Sequence, residues 1–411
     1  MYNPIPWFRS RNKLRICFLP MSMLFLASLI SLASPLKTTS ETPHLHVHKH
    51  LQIAHSTCQG TLYRDLCVST LRSLPDLNTM SVTEFISATL NRTLRETRAS
   101  SSSITSIRSK GSESLGQLEK VALKDCLDLL DSTIAELMSA LSDLSHKKSV
   151  LKHYKHLQTL LSAAMTNQYT CLDGFAYSKG NVRDIIENSF LNISRHISNS
   201  LVMLKKVPGV NTSKYEASPE YHNTKQDFPT WLSSKDRKLL KDPANATKYN
   251  LIVAKDGTGN FTSISEAVAT APNSSATRFV IYIKSGSYFE NVEVETKKTM
   301  IMFVGDGIGK TTVKASRNVV EGWTTFRSAT VAVVGNGFIA KGITFENGAG
   351  PSKHQAVALR SGSDLSAFYK CSFLQSSRTA VYMLANLTRT KGIYSLPKVE
   401  MTLTRTPEYR S

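Results

Sequence analysis

The hydrophobic period of this sequence changes once, and no single domain type accommodates both halves. Between about residues 55 and 205, apolar residues recur at three- and four-residue steps. In LKDCLDLLDSTIAELMSALSDL, for example, they fall at Leu127, Leu130, Ile134, Leu137, Leu141 and Leu144. That spacing puts one apolar stripe on each helix. The stretches HLQTLLSAAMTNQYTCLDGF and SRHISNSLVMLKKV repeat it. Several one-sided helices must cover each other's stripes, which predicts an all-α four-helix bundle over 50–205. From Asn250 the period becomes two: RFVIYIKSGSYFENVEV, KTMIMFVGDG and SATVAVVGNGFIAKGITFEN are short β-branched runs broken by Gly, Asn and Asp. No helical stretch separates them, so a sandwich or a β-solenoid is predicted. A chain of 411 residues is long enough for two such cores.

The segment between the halves, 206–248, is rich in Pro, Ser, Asn and charge and is predicted to be a linker. It contains the basic dipeptide Arg237-Lys238 followed by Leu239-Leu240. The stretch VGDGIGKT, Val304–Thr311, invites a phosphate-loop reading, but that motif needs Gly where Val304 stands, so a solenoid turn is expected. His44, His46, His48 and His50 alternate near the N-terminus without a Cys or carboxylate cluster. They are read as a solvated linker, and neither a metal nor a cofactor is expected.

Arg9, Arg11, Lys13 and Arg15 precede an apolar run from Ile16 to Ala33 that ends in small residues. This is read as a secretory signal peptide over 1–33; Pro20 and the short apolar core favour it over a retained membrane anchor. Export fits the acceptor sequons at Asn91, Asn192, Asn211, Asn245, Asn260, Asn273 and Asn386. It also gives the net charge of +19 a meaning, since an exported basic chain suits an acidic polysaccharide rather than nucleic acid. Beyond Cys17 of the leader, Cys58, Cys67, Cys126 and Cys171 can form two bridges, leaving Cys371 odd. Cys58 and Cys67 are spaced to staple a short helical hairpin, and Cys126 and Cys171 to tie two helices of the bundle.

With their flanks CQGTLYRDLC, ALKDCLDLL and LSAAMTNQYTCLDGF, these cysteines resemble the plant invertase and pectin methylesterase inhibitor domain. The β-patterned half resembles the catalytic domain of plant pectin methylesterases, in VAKDGTGNFTSISEAV, IKSGSYFENV, GWTTFRSATVAVVGNGFIAKGITFEN and GPSKHQAVALRSGSDLSAFYKCSF. The resemblance implies a right-handed parallel β-helix over 249–374, incomplete here, that acts on methyl-esterified galacturonan of cell walls. It implies a secreted aspartyl esterase in which one Asp attacks the ester carbonyl, a second serves as acid and then base, and glutamines hold the oxyanion. Gln355 matches a site glutamine and Thr325 the substrate-contacting threonine, while Arg237-Lys238-Leu239-Leu240 matches a processing site. The family's runs Gln-Asp-Thr-Leu-Tyr, Asp-Phe-Ile-Phe-Gly and Leu-Gly-Arg-Pro-Trp are absent, and no Asp follows Asp364. No catalytic residue can therefore be assigned, and an inactive chain is expected. The rival expectation is an inhibitor that binds another pectin methylesterase through residues 50–205.

After Phe373 the β-pattern fades. Read in a shifted codon register, KVEMTLTRTPEYRS permits Gly-Arg-Asp-Asp-Pro-Asn-Gln-Asn-Thr-Gly-Ile-Ser, and SSRTAVYMLA permits Phe-Gln-Asn-Cys-Arg-Ile-Tyr-Ala-Arg. The first resembles a run that the family carries downstream of its catalytic aspartates and the second its strand just after Asp-Phe-Ile-Phe-Gly, so the segment bearing both aspartates is expected to be missing. The segment 375–411 is thus expected to be out-of-frame sequence.

Overall fold

The computed structural model describes residues 43–111, 113–145, 150–210, 228, 232–243, 248–375 and 393–395. The leader, Asn211, Asn245, Asn386 and the tail apart from 393–395 lie outside the described residues, as does most of the linker. The chain divides into two compact units, Met1–His46 and Val47–Ser411, and the first is described only from residue 43.

Among the described residues, six helices form the N-terminal half: α1 (Pro43–Thr57), α2 (Arg64–Arg72), α3 (Val82–Lys110), α4 (Gln117–Ser145), α5 (Val150–Asp173) and α6 (Val182–Leu204). The long helices α3 to α6 make the predicted four-helix bundle, with α3 and α5 each packing on both α4 and α6. One correction concerns the histidine tract. Its backbone is not linker but the first half of α1, which starts with Pro43 at the position where a missing N–H costs nothing. Helix α3 starts at a reciprocal cap: Ser81 accepts from the Glu84 N–H, and the Ser81 N–H donates to Glu84 at 2.7 Å.

The stripe on α4 is rotated from the one predicted. Ala122, Cys126, Leu129, Leu130, Thr133, Leu137 and Ala140 are buried, whereas Leu127, Ile134 and Leu141 lie at its edge. Small residues at 122, 126, 133 and 140 let the neighbouring helices approach, so size as well as apolarity decides which side faces inward. Disulfides Cys58–Cys67 and Cys126–Cys171 are both formed, closing the α1–α2 hairpin and joining α4 to α5. Cys371 is a buried free thiol.

The second half is a right-handed parallel β-helix. Its coils each lay strands on three faces, so the three sheets run β1-β2-β5-β8-β11-β13, β12-β9-β6-β3 and β10-β7-β4, all parallel. The strands are β1 (Leu251–Val253), β2 (Phe279–Ile283), β3 (Gly286–Phe289), β4 (Val292–Val294), β5 (Ile301–Gly305), β6 (Thr311–Ala315) and β7 (Val331–Val333). They continue with β8 (Ile339–Lys341), β9 (Thr344–Asn347), β10 (Leu359–Ser361), β11 (Ser366–Tyr369), β12 (Ser372–Gln375) and β13 (Ile393–Ser395). Stacked aromatics fill the interior: Phe345 lies parallel to Phe373 with centroids 5.6 Å apart, and Phe338 bridges Phe303 and Phe368. Val304–Thr311 is the end of β5 and a turn into β6, as expected of a solenoid rather than a phosphate loop.

The stretch predicted to be linker carries helix α7 (Ser234–Lys241), which is docked on the outside of the first sheet. Leu240 is wholly buried with Val280, Met302, Val304, Ile339 and Ala367. Asp236 pairs with Arg278 at 2.8 Å, and Ser233 caps the helix. Arg237-Lys238-Leu239-Leu240 is therefore helical, not an open tetrapeptide: the two leucines fall on an apolar side that the sheet covers. Helix α8 (Ile264–Thr270) buries Ile264, Ala267 and Val268 against the N-terminal coil.

Candidate functional site

Strands β4, β7 and β10 place alternate residues on the outer face of their sheet. Val292, Val294, Val331, Val333 and Leu359 enter the core, while Glu293, Ala332 and Arg360 stand in register outside it. Small Ala332 between two long neighbours leaves a hollow of about 50 Å³, bordered also by Arg317, Phe326 and Arg327. Arg360 is 5 % exposed, with its guanidinium 3.7 Å over the Phe326 ring and its Nε without a partner among the described residues. Burial, only partly opposed by Glu293, pushes its pKa down to about 10. Arg317 lies 4.0 Å over Trp323. Within the β-helix the three guanidiniums face one carboxylate, Glu293, and Asp125 and Asp128 of α4 pair with Arg327 from the bundle side.

The loop above it carries GWTTF. Thr325 precedes the short 3₁₀ turn Phe326–Ser328, and its carbonyl accepts from the Ser328 hydroxyl at 2.8 Å. The Val319 N–H donates to the Gln355 carbonyl at 3.1 Å, so the loop bearing Thr325 and the segment bearing Gln355 meet. Asn347 fixes the base: its wholly buried amide donates to the carbonyls of Arg317, Ser328 and Val357 at 3.0–3.2 Å. Both sequence-selected residues thus lie on segments that meet.

The helical bundle covers this face. Tyr177 donates to the Gln355 side-chain oxygen at 3.0 Å and its ring stacks on His354. Asp125, 1 % exposed on α4, accepts from the Thr324 hydroxyl and from Arg327 Nε at 2.5 Å, and Arg327 also reaches Asp128. Phe326 packs against the bundle core. Gly174 permits the approach, since a Cβ there would lie 3.1 Å from Ala122 and 3.4 Å from Thr324. Burial works against the Arg327 charge, but Asp125, Asp128 and Glu293 more than offset it and hold its pKa above the usual value.

Thr325 was selected as a substrate contact, and the contact with the bundle is made by its neighbour Thr324. Sequence reasoning missed Asp125, Tyr177, Arg327 and Arg360. Asp125 had a visible signal, a lone carboxylate beside Cys126 on the side of α4 that packs. The arginines had none, because Arg360 alternates outward in a strand whose partners cannot be read locally. Asn91, Asn192, Asn260 and Asn273 are exposed, as acceptors must be.

A family profile described as Pectinesterase matches residues 250–388, and one described as Plant invertase/pectin methylesterase inhibitor matches 52–203. Probable pectinesterase/pectinesterase inhibitor 39 of Arabidopsis thaliana is 48% identical over 72% of this chain and 56% of its own length. Pectinesterase/pectinesterase inhibitor 3 of the same plant is 37% identical over 92% of this chain and 68% of its own. The solved pectin methylesterase from carrot is 60% identical over 31% of this chain and 40% of that one, with a TM-score of 0.30. The chain thus spans only about half to two thirds of the length of these curated relatives.

Proposed function

The chain belongs to the pectinesterase family whose members carry an N-terminal pectinesterase-inhibitor domain, and from that premise we propose a secreted, cell-wall precursor-type protein whose β-helix face is shaped for methyl-esterified galacturonan. Arg317 and Arg360, which line the hollow on the β-helix without a close ion-pair partner among the described residues, support this, since de-esterified pectin is a polyanion. Gln355 could polarise an ester carbonyl and Thr325 touch the sugar. The family's aspartate-bearing runs are absent from these 411 residues and no Asp follows Asp364, which leaves Glu293 beside Arg360 as the carboxylate of that face among the described residues. Ester hydrolysis by this chain is therefore not expected. Acid–base assistance alone is worth about 10²–10⁴-fold, and the nucleophile is lacking as well.

Methanol release from esterified pectin tests the reading: none should be detected above an empty-vector control, and turnover by the purified chain would overturn it. Coding DNA read one register over after Phe373 should give Gly-Arg-Asp-Asp-Pro-Asn-Gln-Asn-Thr-Gly-Ile-Ser or a near relative. A stop codon there removes the out-of-frame explanation.

A second reading has its own support in the Tyr177–Gln355 and Asp125–Arg327 contacts, through which residues 50–205 already cover an esterase face in the same chain. On that reading the chain binds and inhibits a complete pectin methylesterase. Inhibition of such an enzyme by the 411-residue chain would favour it, and full activity at excess chain would exclude it.

A further inference from the structure

At the end of the bundle away from any role assigned above, Asp143 on α4 faces His153 and His156 on α5. The histidines are three residues apart, so they project from one side of α5 a turn apart. Asp143 stands close to the C-terminal end of α4, on the adjoining helix. His153 Nδ1 lies 3.2 Å from one carboxylate oxygen of Asp143 and His156 Nδ1 lies 2.8 Å from the other. All three offer a donor atom within 4.8 Å of the rest. The two rings meet at 71° with centroids 6.5 Å apart, so they approach the carboxylate from different directions rather than stacking. The histidine side chains are 37% and 39% exposed and Asp143 is 17% exposed, a pocket that an aqueous ion can enter while the carboxylate stays largely held.

We propose that Asp143, His153 and His156 form a divalent transition-metal site that clamps α4 to α5, with Zn²⁺ as the best-fitting ion. Imidazole and carboxylate oxygen suit Zn²⁺, and a site with two histidines and one carboxylate leaves a position for water. Metal–ligand bonds of about 2.0–2.2 Å at tetrahedral angles put donor atoms roughly 3.3 Å apart. The observed separations need only a small side-chain adjustment to reach that. Without an ion, the carboxylate accepts Nδ1–H from both rings; with one, the ion takes the place of those protons and each neutral ring carries its proton on Nε2 instead. The ion is a structural clamp and enters no step of ester chemistry, so the proposal stands apart from the reading above.

The test is a Co²⁺ titration of the full chain in which His44, His46, His48 and His50 have been replaced by Ala, which removes the competing N-terminal tract. One saturable equivalent is expected, with the visible bands of a four- or five-coordinate ion, displaced by Zn²⁺. Asp143→Asn and the pair His153→Gln/His156→Gln should each weaken binding by more than the roughly 10–100-fold that loss of an outer-shell partner alone costs. Their far-ultraviolet circular dichroism should match that of the parent. Absence of saturable binding in the parent overturns the site. So does unchanged affinity in either variant.

Discussion

Glu136 shows what burial does to a single carboxyl. It lies on α4 against Asn167 of α5, which donates to it at 3.0 Å. Burial raises its pKa to about 8, and the Asn167 hydrogen bond only partly opposes this. The folded chain therefore keeps the proton in a window, from the ordinary carboxyl range up to about pH 8, where the unfolded chain has lost it. Stability must fall as pH rises through that window and be unaffected by this group below it. Glu136→Gln keeps an acceptor for Asn167 and removes the penalty. It should stabilise the protein by ~1 kcal/mol or more at pH 7, since a tenfold change in proton affinity is worth about 1.4 kcal/mol. The gain should vanish near pH 4. Melting curves across that range decide it, and an equal gain at both ends would show that ionisation is not the cause.

At the scale of elements, the periods in the sequence predicted most of what forms. The two-residue alternation in RFVIYI and KTMIMFVG became adjacent rungs β2 and β5, because an apolar residue every second position has one place to go in a closed coil. Four helices and both disulfides followed from stripes and cysteine spacing in the same way. What stayed illegible was contact between distant segments. Helix α7 looked like a charged linker because only Leu239 and Leu240 mark its inner side, and the sheet that covers them is made forty and more residues later. Its docking has a consequence for the Arg237-Lys238 pair. A protease needs extended backbone, so cleavage there requires α7 to lift from the sheet. Leu240→Ala removes a fully buried side chain and should cost the docking about 2–5 kcal/mol. Limited proteolysis with a trypsin-like enzyme should then cut after Arg237 or Lys238 much faster than in the parent. Equal rates would mean that the site opens without undocking.

For the whole molecule, the bundle and the β-helix meet through contacts that sequence could not pair: Phe326 on the bundle core, Tyr177 stacked on His354, and Asp125 with Arg327 some two hundred residues away. The contact combines a nearly dry ion pair with the more exposed Asp128 and the Tyr177–Gln355 hydrogen bond. Salt screens the exposed part and leaves the buried part largely intact. If a protease site is inserted in 211–227 and cut, the halves should co-elute on size exclusion at moderate salt although α7 stays with the β-helix. Arg327→Ala strands Asp125 in a buried position without its cation. Breaking such a pair typically costs about 3–5 kcal/mol, which should weaken or abolish co-elution of the halves. Arg327→Ala together with Asp125→Leu removes both charges and should restore part of the association, which loss of bulk alone would not do. Halves that separate in the unsubstituted protein would show that only the covalent connection holds the bundle over Gln355.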